Sequence, residues 1–146
     1  MRPPRPQEIA MDLSGQSAEA SLTVQPGDTA DALSLSSEDA FPAVFATSRM
    51  IALMEIAAAR LMRPLLKEGE LSVGVSVNVT HGAATPAGCQ VRAVATSLGM
   101  ECKLHRFKVE AFDEAGPIGS GEHLRAIVTT ARLVGSAEKR RGSNRG

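Results

Sequence analysis

The sequence predicts an α+β fold in which one long apolar helix is wrapped by a mostly antiparallel sheet. Three observations carry that expectation. The run Met50-Ile-Ala-Leu-Met-Glu-Ile-Ala-Ala-Ala-Arg60 is apolar on almost every side. In Val73-Gly-Val-Ser-Val-Asn-Val-Thr-His81 the valines take every odd position, the period of two that marks a strand. From Cys89 to Arg132 alternating segments are separated by short turns rich in Gly and Pro, and no internal repeat is visible. A helix this apolar needs a layer on more than one side, which a curled sheet supplies.

In chain order, residues 1 to 17 mix Pro, Arg, Ser, Gly and Gln and read as a flexible arm, within which Met11 is an alternative start. Ala20-Ser-Leu-Thr-Val-Gln25 alternates and reads as a first strand, closed by Pro26-Gly27-Asp28. Residues 28–41 are polar and irregular, in the manner of a loop or lid. Thr47-Ser48 reads as a helix N-cap, and the helix lasts to about Met62, before Pro64 disturbs it. Lys67-Glu-Gly-Glu70 turns the chain into the valine strand, and residues 82–88, with Pro86, turn it out again. Cys89, Val91, Ala93 and Ala95 fall on one face of the next strand. In the strand after Leu98-Gly99 the inward phase passes from Cys102 and Leu104 to Phe107, Val109 and Ala111, which predicts a β-bulge near His105-Arg106. Asp113-Glu-Ala-Gly-Pro117 closes a hairpin, and Ile118 to Arg132 makes the last strand. The domain thus spans residues 18–133, and residues 134–146 read as a basic, disordered tail. Such a sheet leaves edges that a second copy can cover, so a homodimer is expected.

Composition narrows the function. At 146 residues the chain is long enough for one domain with a real core. Sixteen basic residues balance sixteen acidic ones, which argues against a general nucleic-acid or membrane-surface binder. Four Phe with no Trp or Tyr leave few stacking platforms for single-stranded nucleic acid. No stretch is long enough to cross a bilayer, and the N-terminus has no apolar leader region. A cytoplasmic protein with reduced thiols is the expectation.

Glu55 is the only acidic residue in the apolar helical run. Burying a carboxylate costs several kcal/mol or more unless it is paired, hydrogen-bonded or protonated. A structural ion pair with an Arg would explain it as well as chemistry would. His81 ends the valine strand on its core-facing side. Beside a carboxylate it would be held in one tautomer and could move protons near neutral pH. Thr47 lies two helical turns before Glu55 and serves as a cap or meets a substrate entering at the helix end. Gly74 weakens a valine strand unless something must approach its backbone. Cys89, Cys102, His105 and His123 have no metal-site spacing, so no metal is assigned.

Phe41-Pro-Ala-Val-Phe-Ala-Thr47, Leu53-Met-Glu55, Val79-Thr-His-Gly-Ala-Ala-Thr-Pro86 and Gly119-Ser-Gly-Glu-His-Leu-Arg125 together closely resemble the fluoroacetyl-CoA thioesterase family, a branch of the hot-dog-fold thioesterases. The resemblance covers roughly residues 20–133, and the His-x-Ala-Ala-Thr-Pro segment combined with Thr-x7-Glu is its specific part. It implies a dimeric hot-dog fold and hydrolysis of an acyl-CoA thioester without metal or organic cofactor. By the same resemblance Thr47, Glu55 and His81 match the family's catalytic residues. Gly74 matches a glycine lining the acyl pocket, Arg125 an arginine near the CoA arm, and Phe41 a lid phenylalanine. The fluoroacetyl enzyme carries a second lid phenylalanine three positions before its Phe-Pro pair, where this chain has Glu38. A short-chain acyl-CoA other than fluoroacetyl-CoA is therefore the expected substrate. An enoyl-CoA hydratase and a non-catalytic acyl-CoA sensor are the alternatives.

Overall fold

The structure, a computed structural model, describes residues 13–143. Residues 1–12 of the arm expected at residues 1–17, with the possible start at Met11, lie outside the described residues. Five strands form one antiparallel sheet in the order β1-β3-β4-β5-β2: β1 Ser17–Thr23, β2 Glu70–His81, β3 Gln90–Glu101, β4 Leu104–Asp113 and β5 Gly116–Thr129. Helix α1, Thr47–Met62, lies across the concave face, and helix α2, Thr130–Ser143, follows β5 directly.

The core sits between α1 and that face. Met50, Leu53, Met54, Ala57, Ala58, Leu61 and Met62 are the buried residues of the helix. They meet Val91, Ala93 and Ala95 of β3, Phe107, Val109 and Ala111 of β4, Ala20 of β1 and Ile118 of β5. Small residues at 57 and 58 let the helix sit close to the sheet, and both are fully buried. At Gly119 a Cβ would stand 2.6 Å from the Thr80 carbonyl oxygen and 2.7 Å from Met50 Sδ, so only glycine admits the start of α1 there. The opposite side of α1 stays open. Ile56 is 45% exposed and shares a surface hollow with Leu71 of the edge strand β2; Leu71 and Val75 of that strand are both more than half exposed.

Four expectations need correction. Leu13 is buried, the Gly15 amide donates to the Ser97 carbonyl and the Ser97 amide donates to the Gln16 carbonyl, so the fold begins before residue 18. The predicted bulge in β4 is absent, because its inward phase holds from His105 to Ala111. Cys102 and Lys103 instead form a tight turn with positive φ of 49° and 69°, and the slip lies on β3 between Ser97 and Gly99. The odd-residue row of β2 breaks too. A register shift between Gly74 and Ser76 throws Val75 outward and makes Gly74 and His81 face the same side. Finally, β5 ends at Thr129, and the segment expected as a tail is helical. The Thr130 amide donates to the Gly69 carbonyl at 2.9 Å, fixing its first turn, and Arg141 pairs with Glu138 at 3.2 Å. Ala131, Leu133, Ala137 and the following charged residues favour helix strongly enough to carry the chain past Gly135.

Candidate active site

Where the N-terminus of α1 meets the end of β2, two of the expected residues touch. Thr47 Oγ1 lies 2.8 Å from His81 Nδ1. This contact is possible because Thr47 is not the cap: Ala46 takes that position, and Thr47 is the first helical residue with a solvent-accessible side chain. The intrahelical ladder starts with Arg49 and Met50 donating to the Ala46 carbonyl, so the amides of the first turn point out of the helix end. His81 Nε2 is buried with no hydrogen-bond partner among the described residues. An orphaned polar nitrogen of this kind costs about 1–3 kcal/mol, which marks a place where a further group belongs.

A cleft of about 340 Å³ opens at this point, lined by Pro42, Val44, Phe45 and Thr47 on one side and His81 to Ala84 on the other. Its walls are tied together by Phe45 donating to the Thr85 carbonyl at 2.8 Å and by a bridge between Val44 and Pro86. Phe41 lies just outside and is 53% exposed. The loop before it is shaped by Asp39, whose carboxylate accepts from the amides of Leu35 at 2.7 Å and Ser36 at 3.0 Å.

Glu55 stands apart from that pair. Eight residues along α1 amount to about 12 Å. Its carboxylate meets Arg125 Nη1 at 3.5 Å, and its side chain is 41% exposed. The burial cost expected from sequence is therefore largely avoided, because the carboxylate looks out through the open side of the helix beside β2. Gly74 makes room for it: a Cβ at that position would lie 3.0 Å from Glu55 Oε1 and 3.2 Å from His123 Cε1.

Arg125 differs from the expectation of a residue along a CoA arm. It is 5% exposed, and its guanidinium turns inward. Nε donates to Ser72 Oγ at 3.0 Å, Nη2 to the Ser72 carbonyl at 2.9 Å, and Nη1 faces His123 Nε2 at 3.1 Å. The spacing of His123 from the other histidines and the cysteines fits no metal site and gives it no role in the sequence. Its alternation with Arg125 on β5, both inward, was the available signal. Burial holds its pKa below the ordinary histidine value, with the Arg125 charge acting the same way against the Ser76 carbonyl and Glu55. Among the described residues no group of three His, Cys, Asp or Glu is placed to hold a metal ion. No helix there is long and apolar enough to cross a membrane.

The comparisons agree with the motifs. Residues 24–131 match the family described as fluoroacetyl-CoA-specific thioesterase. A fluoroacetyl-CoA thioesterase of Streptantibioticus cattleyicolor is 46% identical over 88 residues, 60% of this chain and 63% of that protein, so the match spans a little under two thirds of that relative. A solved structure of the fluoroacetyl-CoA thioesterase superposes with a TM-score of 0.82 at 36% identity, over 86% of this chain and 95% of that one. A hot-dog-like protein from Thermanaerovibrio acidaminovorans, 26% identical, superposes with a TM-score of 0.73 over 91% and 93%. The wrapped-helix architecture is the hot-dog fold.

Proposed function

The chain belongs to the fluoroacetyl-CoA-specific thioesterase family, and on that premise we propose that it hydrolyses a short-chain acyl-CoA to the free acid and CoA using Thr47, Glu55 and His81. The observation that carries this reading is the 2.8 Å contact of Thr47 with His81 in the mouth of the cleft, beneath the open end of α1. The thioester carbonyl oxygen would meet the first-turn amides, where developing negative charge is stabilised by fixed N–H dipoles. Glu55 attacks the carbonyl carbon or takes a proton from the attacking water, with the Thr47 hydroxyl aligning the reacting group. His81 gives a proton to the departing CoA thiolate. A carboxylate, a hydroxyl and an imidazole suffice, so the reading assigns no cofactor.

The separation of Glu55 from Thr47 bears on assembly. Within one protomer the two side chains project from points two turns apart on one helix. In a homodimer paired along the exposed edge of β2, Glu55 of one protomer can face Thr47 and His81 of its partner. The unpaired edge and the exposed Ile56, Leu71 and Val75 support that pairing. The orphaned His81 nitrogen supports it too. The cytoplasm remains the proposed setting, consistent with the free thiols of Cys89 and Cys102.

The substrate reading rests on the lid. Glu38 stands where the fluoroacetyl enzyme has an aromatic gate, so of the two lid phenylalanines only the one matched by Phe41 is kept. The test is thiol release from a panel of acyl-CoA esters graded by chain length and fluorination. Short unfluorinated esters should turn over fastest, and Glu38→Phe should shift the preference. Normal turnover by both Glu55→Gln and His81→Ala would sink the assignment. Loss of enoyl absorbance without thiol would make the protein a hydratase, and binding without turnover a sensor. Incorporation of ¹⁸O into Glu55 during a single turnover in labelled water would assign it as nucleophile rather than base.

A further inference from the structure

Glu55 is held by Arg125, and Arg125 is held in turn by a residue that the hydrolytic scheme does not use. His123 lies two positions earlier on β5, on the same inward face, and is 1% exposed. Its Nδ1 is 2.8 Å from the carbonyl oxygen of Ser76, the residue that follows the β2 bulge. A carbonyl oxygen only accepts, so Nδ1 carries the proton. A neutral ring then bares its Nε2 lone pair, and that atom faces Arg125 Nη1 at 3.1 Å. A doubly protonated ring would set N–H against N–H at this contact, and burial disfavours that form.

Arg125 is thereby held at all three of its guanidinium nitrogens. Ser72 takes Nε and Nη2, His123 takes one hydrogen of Nη1, and the other is left for Glu55 Oε2 at 3.5 Å. Arginine has no acceptor of its own and cannot be steered by donors. The imidazole in this single tautomer is what aims the guanidinium at the carboxylate.

We propose that His123 is a positioning residue for thioester hydrolysis: as the Nδ1–H tautomer anchored on the Ser76 carbonyl, it accepts from Arg125 and so orients Glu55. This rests on the role given to Glu55 above. The ring packs against Phe107, with centroids 6.4 Å apart, so a phenylalanine can occupy its space without the nitrogens.

The experiment combines kinetics with ¹⁵N-histidine NMR on the full chain. His123→Phe should lower kcat by on the order of tenfold to a hundredfold, as expected for a misaimed reacting group, with KM within about twofold. His123→Gln, whose amide oxygen can accept from Arg125, should recover much of that loss. The wild-type His123 signal should be the neutral Nδ1–H tautomer at pH 7, and Arg125→Met should shift its Nε2 resonance. A folded His123→Phe variant with wild-type kcat overturns the proposal. So do equal losses in the Phe and Gln variants, or a protonated or Nε2–H ring at pH 7. Absence of thiol release by the wild type would instead overturn the hydrolase reading itself, and leaves the NMR arm to report whether the His123–Arg125 coupling exists.

Discussion

Gly74 shows how much one side chain can decide. A methyl group there meets Glu55 Oε1 at 3.0 Å and the fixed His123 ring at 3.2 Å. Gly74→Ala should therefore lower kcat by on the order of tenfold or more in the thiol-release assay. Its stability cost in denaturant melts should be small, about 1–3 kcal/mol, because the carboxylate end can swing away. Sequence alone singled out Glu55, His81 and Gly74, since a lone acid in an apolar helix and a glycine among valines break local patterns. It could not tell that Thr47 lies one step inside the helix, because capping depends on backbone angles at Ala46. It also could not reveal the inward turn of Arg125, whose partner Ser72 is brought to it by the pairing of β2 with β5, 53 positions away in the chain.

At the scale of elements, β4 and β5 each bury a histidine, His105 and His123. Burial is the main cause lowering both pKa values. The unfolded chain then binds protons that the folded one refuses, so stability is complete above about pH 6.5 and falls as pH drops through that value toward the folded pKa. Urea midpoints should decline between pH 7 and pH 5. His105→Gln and His123→Phe should each flatten that slope, by up to about one proton. A slope unchanged in both variants would contradict the assignment. The existence of all five strands and of α1 was legible from period and turn chemistry. Their phase was not. Slips opposite Arg106 and at Val75 depend on which strand accommodates an extra residue, and either strand of a pair can do so. The helix α2 was hidden because two glycines and a run of charge resemble a tail, while its first turn is fixed by the distant Gly69.

At the scale of the molecule, the fold and the family follow from motifs spread over most of the chain. The proposed homodimer is supported by what one protomer leaves open: the β2 edge, the Ile56 side of α1 and a His81 nitrogen with no partner among the described residues. Sedimentation at micromolar concentration should give a dimer, and charged substitutions such as Val75→Lys should shift it toward monomer with parallel loss of turnover. An intact monomer retaining full activity would exclude a shared site.

The distance along α1 between Thr47 and Glu55 has one more consequence, in the arithmetic of mixed assemblies. If each reaction centre takes its carboxylate from one protomer and its imidazole from the other, two inactive variants can complement. A heterodimer of Glu55→Gln with His81→Ala holds one doubly defective centre and one with every group intact. Unfolding and refolding the two variants together in equal amounts should then restore about a quarter of wild-type activity, since half the dimers are mixed and each has one good centre. If all three groups served a single protomer, the mixture would stay as inactive as its parts.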